Sequence, residues 1–365
     1  MTHWPNYSLS CRKEVDEILK KGGSLSAYRA NKDYGSGPIK GSQAWKLERE
    51  IERKFKVKHA IAVNSGTAAL HAALVSVGVQ GREVITSPYT FSATSSAILL
   101  AGGIIRYADV DPYTFCITKE TISEVITKKT AAILPVHLFG YLGDMHELKT
   151  LGVPIIEDAC QAVGAQRNTT FAGTFGVAGT YSFNGGKNCP SGEGGALVTN
   201  SDKIAERARL LANHQENFEN QKEVGYNYRM QEIVACIARH GLKDLDERNQ
   251  RRIDLVHQLI IDLHGRIGFP PIDGSHIYYV FGFPSPLRDR SLFIKRMAKR
   301  GITVGAGYIS PILSAYPAFH HYQTTPLPVA EELSSKTLCI IYDLTPDKPL
   351  SFARKVAGAI SASLD

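Results

Sequence analysis

The amino-acid sequence predicts an α/β protein in which a mostly parallel sheet, flanked by helices, is followed by a smaller α+β domain. Strand and helix patterns alternate from residue 59 to residue 159, and the strands are nearly continuous apolar runs, as expected for strands buried on both faces. Beyond residue 245, shorter strand and helix patterns alternate with clustered prolines. We therefore place a large domain at residues 1–245 and a small carboxyl-terminal domain at residues 246–365.

Length and composition limit the classes of protein that the sequence can encode. The chain has 365 residues, of which 43% are hydrophobic, so it can bury a large core in more than one domain. Its formal net charge of +7 is a modest excess spread along the chain. This charge suits anionic small-molecule substrates at least as well as nucleic acid, and we expect no nucleic-acid partner.

Two absences in the sequence concern metal binding and the cellular compartment. The six cysteines form no CxxC pair, which predicts reduced thiols and no metal site. No run of about 18 apolar residues occurs, and the first segment, MTHWPNYSLSCRKEVDE, lacks the basic and apolar regions of a secretion signal. The sequence therefore predicts a cytoplasmic protein that does not associate with membranes.

The elements of the fold are predicted in a regular order. A helix that carries Trp45, Leu47, Ile51 and Phe55 at helical spacing leads into a first strand at 59–63. Further strand patterns follow, separated by helix patterns, at 83–87, 104–110, 131–140 and 154–159. Beyond residue 230 the sequence predicts one or two long helices, then strands at 277–283 and 302–304 and helices at 290–301, 329–338 and 350–364.

A strand, a Gly-Thr turn and a helix follow one another at Asn64-Ser65-Gly66-Thr67. Backbone N–H groups at the start of a helix lack intrahelical partners, and the helix dipole favours an anion there. With the Thr67 hydroxyl as a further donor, this turn predicts a phosphate site. The alternative is that Ser65 or Thr67 only caps the following helix, predicted at 68–77.

The segment from Ser182 to Thr199, SFNGGKNCPSGEGGALVT, places Lys187 in a glycine-rich loop between two apolar strands. A lysine in such a water-poor loop can lose its proton more readily than a surface lysine. A neutral amine can form a Schiff base with an aldehyde cofactor. The alternative is an ordinary solvated loop lysine, since most lysines are exposed.

Further candidate residues follow the strands, because ligands of parallel sheets bind at the carboxyl ends of the strands. They are Phe91, His137, Asp158 and Gln161. Asp158 could keep a ring nitrogen protonated, or it could be a helix cap or an ion-pair partner. The ordinary alternatives are a core aromatic residue for Phe91 and a hydrogen-bonded structural histidine for His137.

Together these motifs resemble the DegT/StrS family of pyridoxal-phosphate-dependent sugar aminotransferases, which have the aspartate-aminotransferase-like fold (fold type I). The resemblance covers residues 41–257 and weakens after them. Its motifs occur in the order and spacing of the family: NSGTAAL at 64, SPYTF at 87, DVDP at 109, PVHLFG at 135, IIEDACQAVGA at 155, YSFNGGKN at 181, GEGGALVTN at 192 and GYNYRM at 225. The resemblance implies pyridoxal 5'-phosphate as the cofactor.

The resemblance also implies a role for each matching residue. Lys187 carries the cofactor and later moves the proton at the substrate carbon. The other cofactor contacts are Gly66, Thr67 and Ser182 at the phosphate, Phe91 stacked on the ring, Asp158 at the ring nitrogen and Gln161 by the ring oxygen. Asn227 reaches the phosphate in the neighbouring subunit, which implies a homodimer with shared active sites. Weaker candidates for substrate contacts are His137, Tyr308 and Arg229, the last for the carboxylate of the amino donor.

The implied function is transfer of an amino group, with glutamate as the expected donor, to a nucleotide-linked ketosugar. One alternative is a sugar dehydratase of the same family, in which histidine replaces the lysine; another is a non-catalytic regulator or binding protein. The sequence departs from the family at Asn184 and Gly186, where many relatives have histidine and threonine, and at 307–314, which lacks two usual histidines. In the family this last segment usually helps to form the sugar pocket, so these departures bear on the identity of the substrate.

Overall fold

A computed structural model describes residues 7–31, 35–214, 224–263, 265–340 and 349–364. The amino-terminal part contains α1 (Leu9–Lys21), β1 (Tyr28–Asn31), β2 (Gly35–Pro38), α2 (Gln43–Phe55), β3 (His59–Val63), α3 (Gly66–Val77), β4 (Glu83–Thr86), α4 (Ser92–Leu100), β5 (Ile104–Tyr107), α5 (Lys119–Ser123) and β6 (Thr130–Leu134). The middle contains α6 (Met145–Lys149), β7 (Ile156–Asp158), β8 (Gln166–Arg167), β9 (Thr170–Phe171), β10 (Ala178–Ser182), β11 (Gly195–Thr199), α7 (Asp202–Ala212) and α8 (Glu232–Lys243). The carboxyl-terminal part contains α9 (Leu245–Asp262), β12 (Phe281–Pro284), α10 (Arg290–Lys299), α11 (Pro328–Lys336), β13 (Thr337–Ile340) and α12 (Pro349–Leu364). Across these ranges, no helix is both long enough and apolar enough to cross a membrane.

The centre of the large domain is a mixed sheet made of two parts, β3-β11-β10-β7 and β6-β4-β5. Parallel bridges from Ile133 to Ile155 and from Val136 to Asp158 join the two parts. β4 is parallel to β5 and β6, and β7 is parallel to β10, whereas β11 is antiparallel to β3 and β10. β6, β10 and β11 are buried at every residue, as their apolar sequences require. The predicted mostly parallel sheet is confirmed.

The predicted helix before the first strand is α2, and its sequence explains both of its ends. The Ser42 hydroxyl accepts a hydrogen bond from the Trp45 N–H at 3.2 Å and caps the first turn. Leu47, Ile51 and Phe55 are buried on one face. The helix ends at Lys56, which has the left-handed conformation typical of a helix end, with φ at 55°.

A second apolar core lies in the carboxyl-terminal part. It packs α9 against α10, α12 and the β12-β13 pair through Leu255, Leu259, Phe281, Phe293 and Val356. The predicted long helical region is two helices, since α8 ends at Lys243 and α9 begins at Leu245. The domain boundary at residue 245 stays a prediction, and it falls at this junction.

Two predicted elements of the small domain are wrong in their extent, and a third does not form. The strand expected at 277–283 begins only at Phe281, because the N–H groups of Ile277 and Val280 bond to the carbonyls of Gly140 and Phe139. No strand forms at 302–304. The helix expected at 329–338 ends at Lys336, and the next residues form β13, which is buried at each position and pairs with β12.

Asp109, from the DVDP motif, connects the sheet to the carboxyl-terminal part. Its carboxylate accepts hydrogen bonds from the N–H groups of Val329, at 2.9 Å, and Ala330, at 2.8 Å. These donors lie in the first turn of α11, where N–H groups lack intrahelical partners and an anion is favoured. The motif therefore has a structural role in this chain.

Candidate active site

Lys187 lies in the loop between the antiparallel strands β10 and β11. Backbone hydrogen bonds close this loop on itself, from the Gly185 N–H to the Gly192 carbonyl at 2.7 Å and from the Lys187 N–H to the Asn184 carbonyl at 2.8 Å. The half-buried Lys187 side chain places Nζ 4.5 Å from the centroid of the Tyr279 ring. The amine thus lies against an aromatic face. This position differs from the alternative of an ordinary solvated loop lysine.

The Gly-Thr turn lies directly beside the end of β10. The Ser65 hydroxyl accepts from the Ala68 N–H at 3.0 Å, so Ser65 is the cap of α3 and the Thr67 hydroxyl is not used as the cap. A Cβ on Gly66 would lie 2.9 Å from the Cβ of Ser182, closer than real Cβ atoms come, and 3.0 Å from the Sγ of Cys160, a tight contact. Glycine is therefore required here. It brings the first turn of α3 next to the Ser182 hydroxyl, and both can donate to one phosphate.

Asp158 ends β7 and is 5% exposed. Its Oδ2 accepts from the Thr94 hydroxyl at 2.8 Å, and its Oδ1 accepts from the Cys160 N–H at 3.2 Å. Both donors are neutral, and no ion pair of Asp158 with any described residue is present. The structure thus supports neither an ion-pair role nor a helix cap, and acceptor positions on the buried carboxylate remain for another partner.

Cys160 shows that Asp158 and Lys187 are neighbours. Burial raises the pKa of the Cys160 thiol well above its usual range, and the Asp158 carboxylate raises it further, while the Lys187 ammonium acts in the opposite direction. The Asp158 carboxylate and the Lys187 amine therefore both lie within electrostatic range of the Cys160 thiol. Cys160 itself stays a neutral thiol there.

Glu157 precedes Asp158 but faces the other side of the sheet, since side chains alternate along a strand. Its carboxylate accepts from the N–H groups of Gly173 at 2.8 Å, Phe175 at 2.6 Å and Gly176 at 2.7 Å, and Oε2 lies 2.9 Å from Nε2 of His137. Both Glu157 and His137 are 0% exposed. The weaker prediction that His137 contacts the substrate is therefore corrected, because this histidine is fully enclosed and pairs with a structural carboxylate.

Phe91 and Gln161 lie at the same edge of the sheet as Asp158. Phe91 is 58% exposed, an unusual state for a large apolar ring, and its carbonyl accepts from the N–H of Thr94, the residue that holds Asp158. Gln161 is buried, and its Oε1 accepts from the Phe139 N–H at 2.9 Å. The Gln161 side-chain oxygen is thus occupied, which leaves the amide nitrogen to donate to a ligand.

An aromatic cluster, formed by Phe139, Tyr279 and Tyr308, borders the lysine. The ring centroids of Tyr308 lie 6.0 Å from Phe139 and 6.4 Å from Tyr279. Arg252 of α9 donates to the carbonyls of Tyr278, at 3.4 Å, and Tyr279, at 3.0 Å. Sequence reasoning missed Tyr279, because it lies in an apolar run that reads as a core strand. It did identify Tyr308.

Asn227 and Arg229 lie in a neighbouring cleft of about 470 Å³, which is also lined by Asn64 and Glu193. The Asn64 side chain donates to the Asn227 carbonyl at 3.1 Å, and Arg229 bridges to Val63 at the edge of the sheet and donates to Asn213 at 3.1 Å. Asn227 is exposed. Within the described residues, neither side chain contacts the group formed by Lys187 and Asp158, so the roles predicted for these two residues stay predictions.

The residues gathered at this edge fit pyridoxal phosphate. A carbonyl-reactive amine, a buried carboxylate without a cationic partner and an exposed aromatic face match the aldehyde, ring nitrogen and ring face of the cofactor. The first turn of α3 and Ser182 match its phosphate. When this group is bound, we expect Lys187, Asp158, Phe91, Gly66 and Ser182 to hold it.

Known proteins with similar sequences include sugar aminotransferases. The chain is 35% identical over 318 residues to a pleiotropic regulatory protein of Geobacillus stearothermophilus, which covers 83% of this chain and 84% of the relative. It is 32% identical over 330 residues to the 3-oxo-glucose-6-phosphate:glutamate aminotransferase of Bacillus subtilis, covering 86% and 70%. It is 36% identical over 250 residues to the GDP-perosamine synthase of Caulobacter vibrioides, covering 64% and 67%.

The fold and the family agree with the geometry of the site. The solved structure of NtdA from Bacillus subtilis, with bound cofactor PMP, matches with a TM-score of 0.84 and 26% identity over 98% of this chain and 83% of that chain. The model of the DegT/DnrJ/EryC1/StrS aminotransferase family matches residues 30–350. The predicted fold, cofactor and enzyme class, a pyridoxal-phosphate-dependent sugar aminotransferase, are confirmed. The chain belongs to the DegT/DnrJ/EryC1/StrS aminotransferase family.

Proposed function

We propose that the enzyme moves an amino group from L-glutamate to the keto group of a nucleotide-linked sugar. The observation that carries the proposal is Asp158, a buried carboxylate with two neutral donors, which lies at the same edge of the sheet as the exposed Phe91 ring, with Lys187 directed against Tyr279. The relatives support the choice of substrates, because one is named for glutamate and another for a GDP-linked amino sugar. The net charge of +7 suits substrates that carry phosphate groups.

The residues of this chain divide the work of the reaction. Bound pyridoxal phosphate supplies an aldehyde carbon and, while its ring nitrogen is protonated, an acceptor for the electrons of the substrate C–H bond. The Asp158 carboxylate, oriented by Thr94, holds the proton on that nitrogen. The Gln161 amide nitrogen would donate to the ring oxygen, and Phe91 would stack on the ring. Together these contacts would orient the bound cofactor for the step at the substrate carbon.

Lys187 has the remaining task, which is to move the proton at the substrate carbon. Its loop is held by the two backbone hydrogen bonds between Gly185 and Gly192 and between Lys187 and Asn184. The backbone of Lys187 is therefore held in place while its side chain moves, and the Tyr279 ring lies on one side of Nζ. A proton carrier that returns to the same place between steps can take a proton from one carbon and give it to another.

Spectra of the purified protein test this proposal. We expect a yellow enzyme, loss of the colour with L-glutamate alone, and its return with a nucleotide-linked ketosugar. Borohydride should fix the cofactor to Lys187, and Lys187→Ala should neither retain the covalent adduct nor turn over. If glutamate, glutamine and aspartate all leave the colour unchanged, the aminotransferase proposal fails. A sugar dehydratase or a regulatory role, the role for which one relative is named, would then be indicated.

We also propose that the active site is shared between two subunits of a homodimer. Asn227 is exposed at the edge of the sheet, and its backbone is tied to Asn64, the residue before the phosphate turn. It contacts no residue of the lysine group in its own chain, so it is available to a second chain related by a two-fold axis. Its uncharged amide can donate to a phosphate in that chain.

Mixed dimers test the shared site. Lys187→Ala subunits and Asn227→Asp subunits should each be inactive alone, because the first lacks the amine and the second repels the phosphate. Refolded together, they should recover activity, since one of the two sites in each heterodimer receives an intact lysine and an intact asparagine. A fully active monomer, or verified heterodimers without activity, would contradict the shared site.

A further inference from the structure

A cluster of polar side chains lies between α1 and α8, and none of its residues belongs to the candidate active site. Cys236 and His240 are one helical turn apart on α8, so both side chains face the same way. Glu14 of α1 meets them there, with Oε2 2.8 Å from Nε2 of His240. One ligand atom from each of the three side chains lies within 4.8 Å of the other two. Cys236 and His240 are buried, and Glu14 is half-buried.

We propose that Glu14, Cys236 and His240 bind a zinc ion between α1 and α8. Sulfur, imidazole nitrogen and carboxylate oxygen are the three donor types that zinc uses in proteins. Tetrahedral bonds of about 2.0–2.3 Å place neighbouring ligand atoms roughly 3.3–3.6 Å apart. Oε2 of Glu14 and Nε2 of His240 are 2.8 Å apart, and the two separations that involve Sγ of Cys236 are at most 4.8 Å. Side-chain rotations of about an ångström therefore complete the geometry without moving either helix.

The surroundings already orient the carboxylate ligand. Oε1 of Glu14, the oxygen that faces away from His240, accepts from Arg239 at 3.0 Å and from Gln43 at 3.1 Å. Metal-binding carboxylates are commonly held in this way by a second set of partners. Arg239 also pairs with Glu50 at 2.8 Å, so its charge is shared between two carboxylates. Zinc binds the thiolate form of cysteine, so binding of the ion would release the thiol proton of Cys236.

One of the three proposed ligands, His240, also lines a small cavity. It has a volume of about 10 Å³ and is lined by His240 together with Cys11, Gly241 and Asp244. This is roughly the space that one water molecule occupies. Three protein ligands and one water complete a four-coordinate zinc site.

The position of the site gives the ion a structural consequence. His240 is followed by Gly241, where a Cβ would lie 3.1 Å from Sγ of Cys189, two residues beyond Lys187. α8 therefore packs against the lysine loop, and an ion that joins α8 to α1 would hold α8 in this position. The expectation of no metal rested on spacing along the chain, whereas Glu14 and His240 are 226 residues apart in sequence.

Metal titration of the full-length enzyme tests the proposal. After treatment with a chelator, the protein should bind one zinc ion per chain in competition with a chromophoric chelator. Cobalt(II) should give the thiolate charge-transfer and tetrahedral visible bands, seen as a difference spectrum against the zinc-loaded enzyme, and zinc should remove them. Zinc should also raise the temperature of unfolding, because it binds only the folded chain.

Variants assign the ligands. Cys236→Ser and His240→Gln should each weaken zinc binding by at least about 100-fold, and Gln43→Ala, which only orients Glu14, by about 10-fold. Cys116→Ser is the matched control, because Cys116 is equally buried and its thiol donates to the Val136 carbonyl; zinc binding should be unchanged. Equal zinc affinity in wild type and Cys236→Ser would overturn the proposal. If the variants fail to fold, a wild-type cobalt spectrum without a thiolate band overturns it equally.

Discussion

Replacement of Asp158 by asparagine tests the catalytic role of the carboxylate separately from its role in folding, because both carboxylate oxygens have neutral hydrogen-bond partners. In Asp158→Asn, the amide oxygen can still accept from the Cys160 N–H, which lies 3.2 Å from Oδ1. The amide nitrogen then faces the Thr94 hydroxyl, which can accept a hydrogen bond as well as donate one. Thr94 can in turn donate to the Thr90 hydroxyl, 3.2 Å away. Each hydrogen bond of the carboxylate is therefore retained by the amide.

The two expected magnitudes differ strongly. The free energy of unfolding should change by less than about 1 kcal/mol, since an isosteric replacement that keeps its partners leaves no buried group unsatisfied. The barrier of the reaction should rise by about 2.7–4 kcal/mol, the usual effect of removing one preorganised electrostatic partner, which lowers kcat about 100- to 1000-fold. The physical reason is that a neutral amide cannot hold the proton on the ring nitrogen.

Three measurements on the same preparation decide the matter: urea unfolding, cofactor content by absorbance, and kcat with saturating substrates. We expect wild-type unfolding, retained cofactor and a large loss of kcat. Activity within about tenfold of wild type would refute the role of Asp158 at the ring nitrogen. A loss of more than about 2 kcal/mol in unfolding free energy would show that the charge itself is needed for folding.

Three further predictions concern neighbouring groups. Glu157→Gln is the matched change on the opposite face of β7, and it should lower the free energy of unfolding, measured in urea, by about 3 kcal/mol. The amide nitrogen of glutamine would face a backbone N–H from which the carboxylate oxygen accepted a hydrogen bond. Unchanged stability would contradict this prediction. Tyr279→Leu should lower kcat by a few fold to roughly 30-fold through loss of the aromatic face below Lys187, worth about 0.5–2 kcal/mol, whereas Tyr279→Phe keeps the face and should retain activity. Burial lowers the pKa of His276 to about 3, so the unfolded chain binds a proton on this imidazole at a higher pH than the folded chain does. The free energy of unfolding should therefore fall as the pH decreases from about 6.5 towards 3. In His276→Asn, urea unfolding should show a weaker dependence of stability on pH over this range.

The mostly parallel sheet and a set of candidate site residues could be predicted from the sequence. Apolar runs separated by helix patterns predict a parallel sheet, and the rule that ligands bind at strand ends predicts Asp158, Gln161 and Phe91. The prediction of the sheet is confirmed because it depends on spacing over a few residues, whereas the roles of these three residues stay predictions. The chain brings these strand ends to one edge, as the contacts of Thr94 with Asp158 and with Phe91 show.

What could not be predicted depends on contacts between distant segments. Residues 277–280 have the composition of a strand, yet their N–H groups bond to the turn at 139–140, and this places the Tyr279 ring below Lys187. The helix pattern at 329–338 likewise gives way to β13, because pairing with β12 and burial outweigh helix propensity over four residues. Propensity is a local quantity, and it carries no information on which neighbour a segment meets.

Glu157 and Asp158 differ in their hydrogen-bond partners, and the sequence alone does not predict this difference. Both are carboxylates at the end of the same strand, and both are buried, so composition and position do not distinguish them. The difference lies in the number and kind of donors. Glu157 receives three backbone N–H groups and the His137 ring, which use most of its acceptor positions. Asp158 receives one hydroxyl and one N–H, so acceptor positions remain for a ligand. A buried carboxylate with few, neutral donors is stabilised when a ligand supplies positive charge, and we propose that the ring nitrogen of pyridoxal phosphate would supply it in this enzyme.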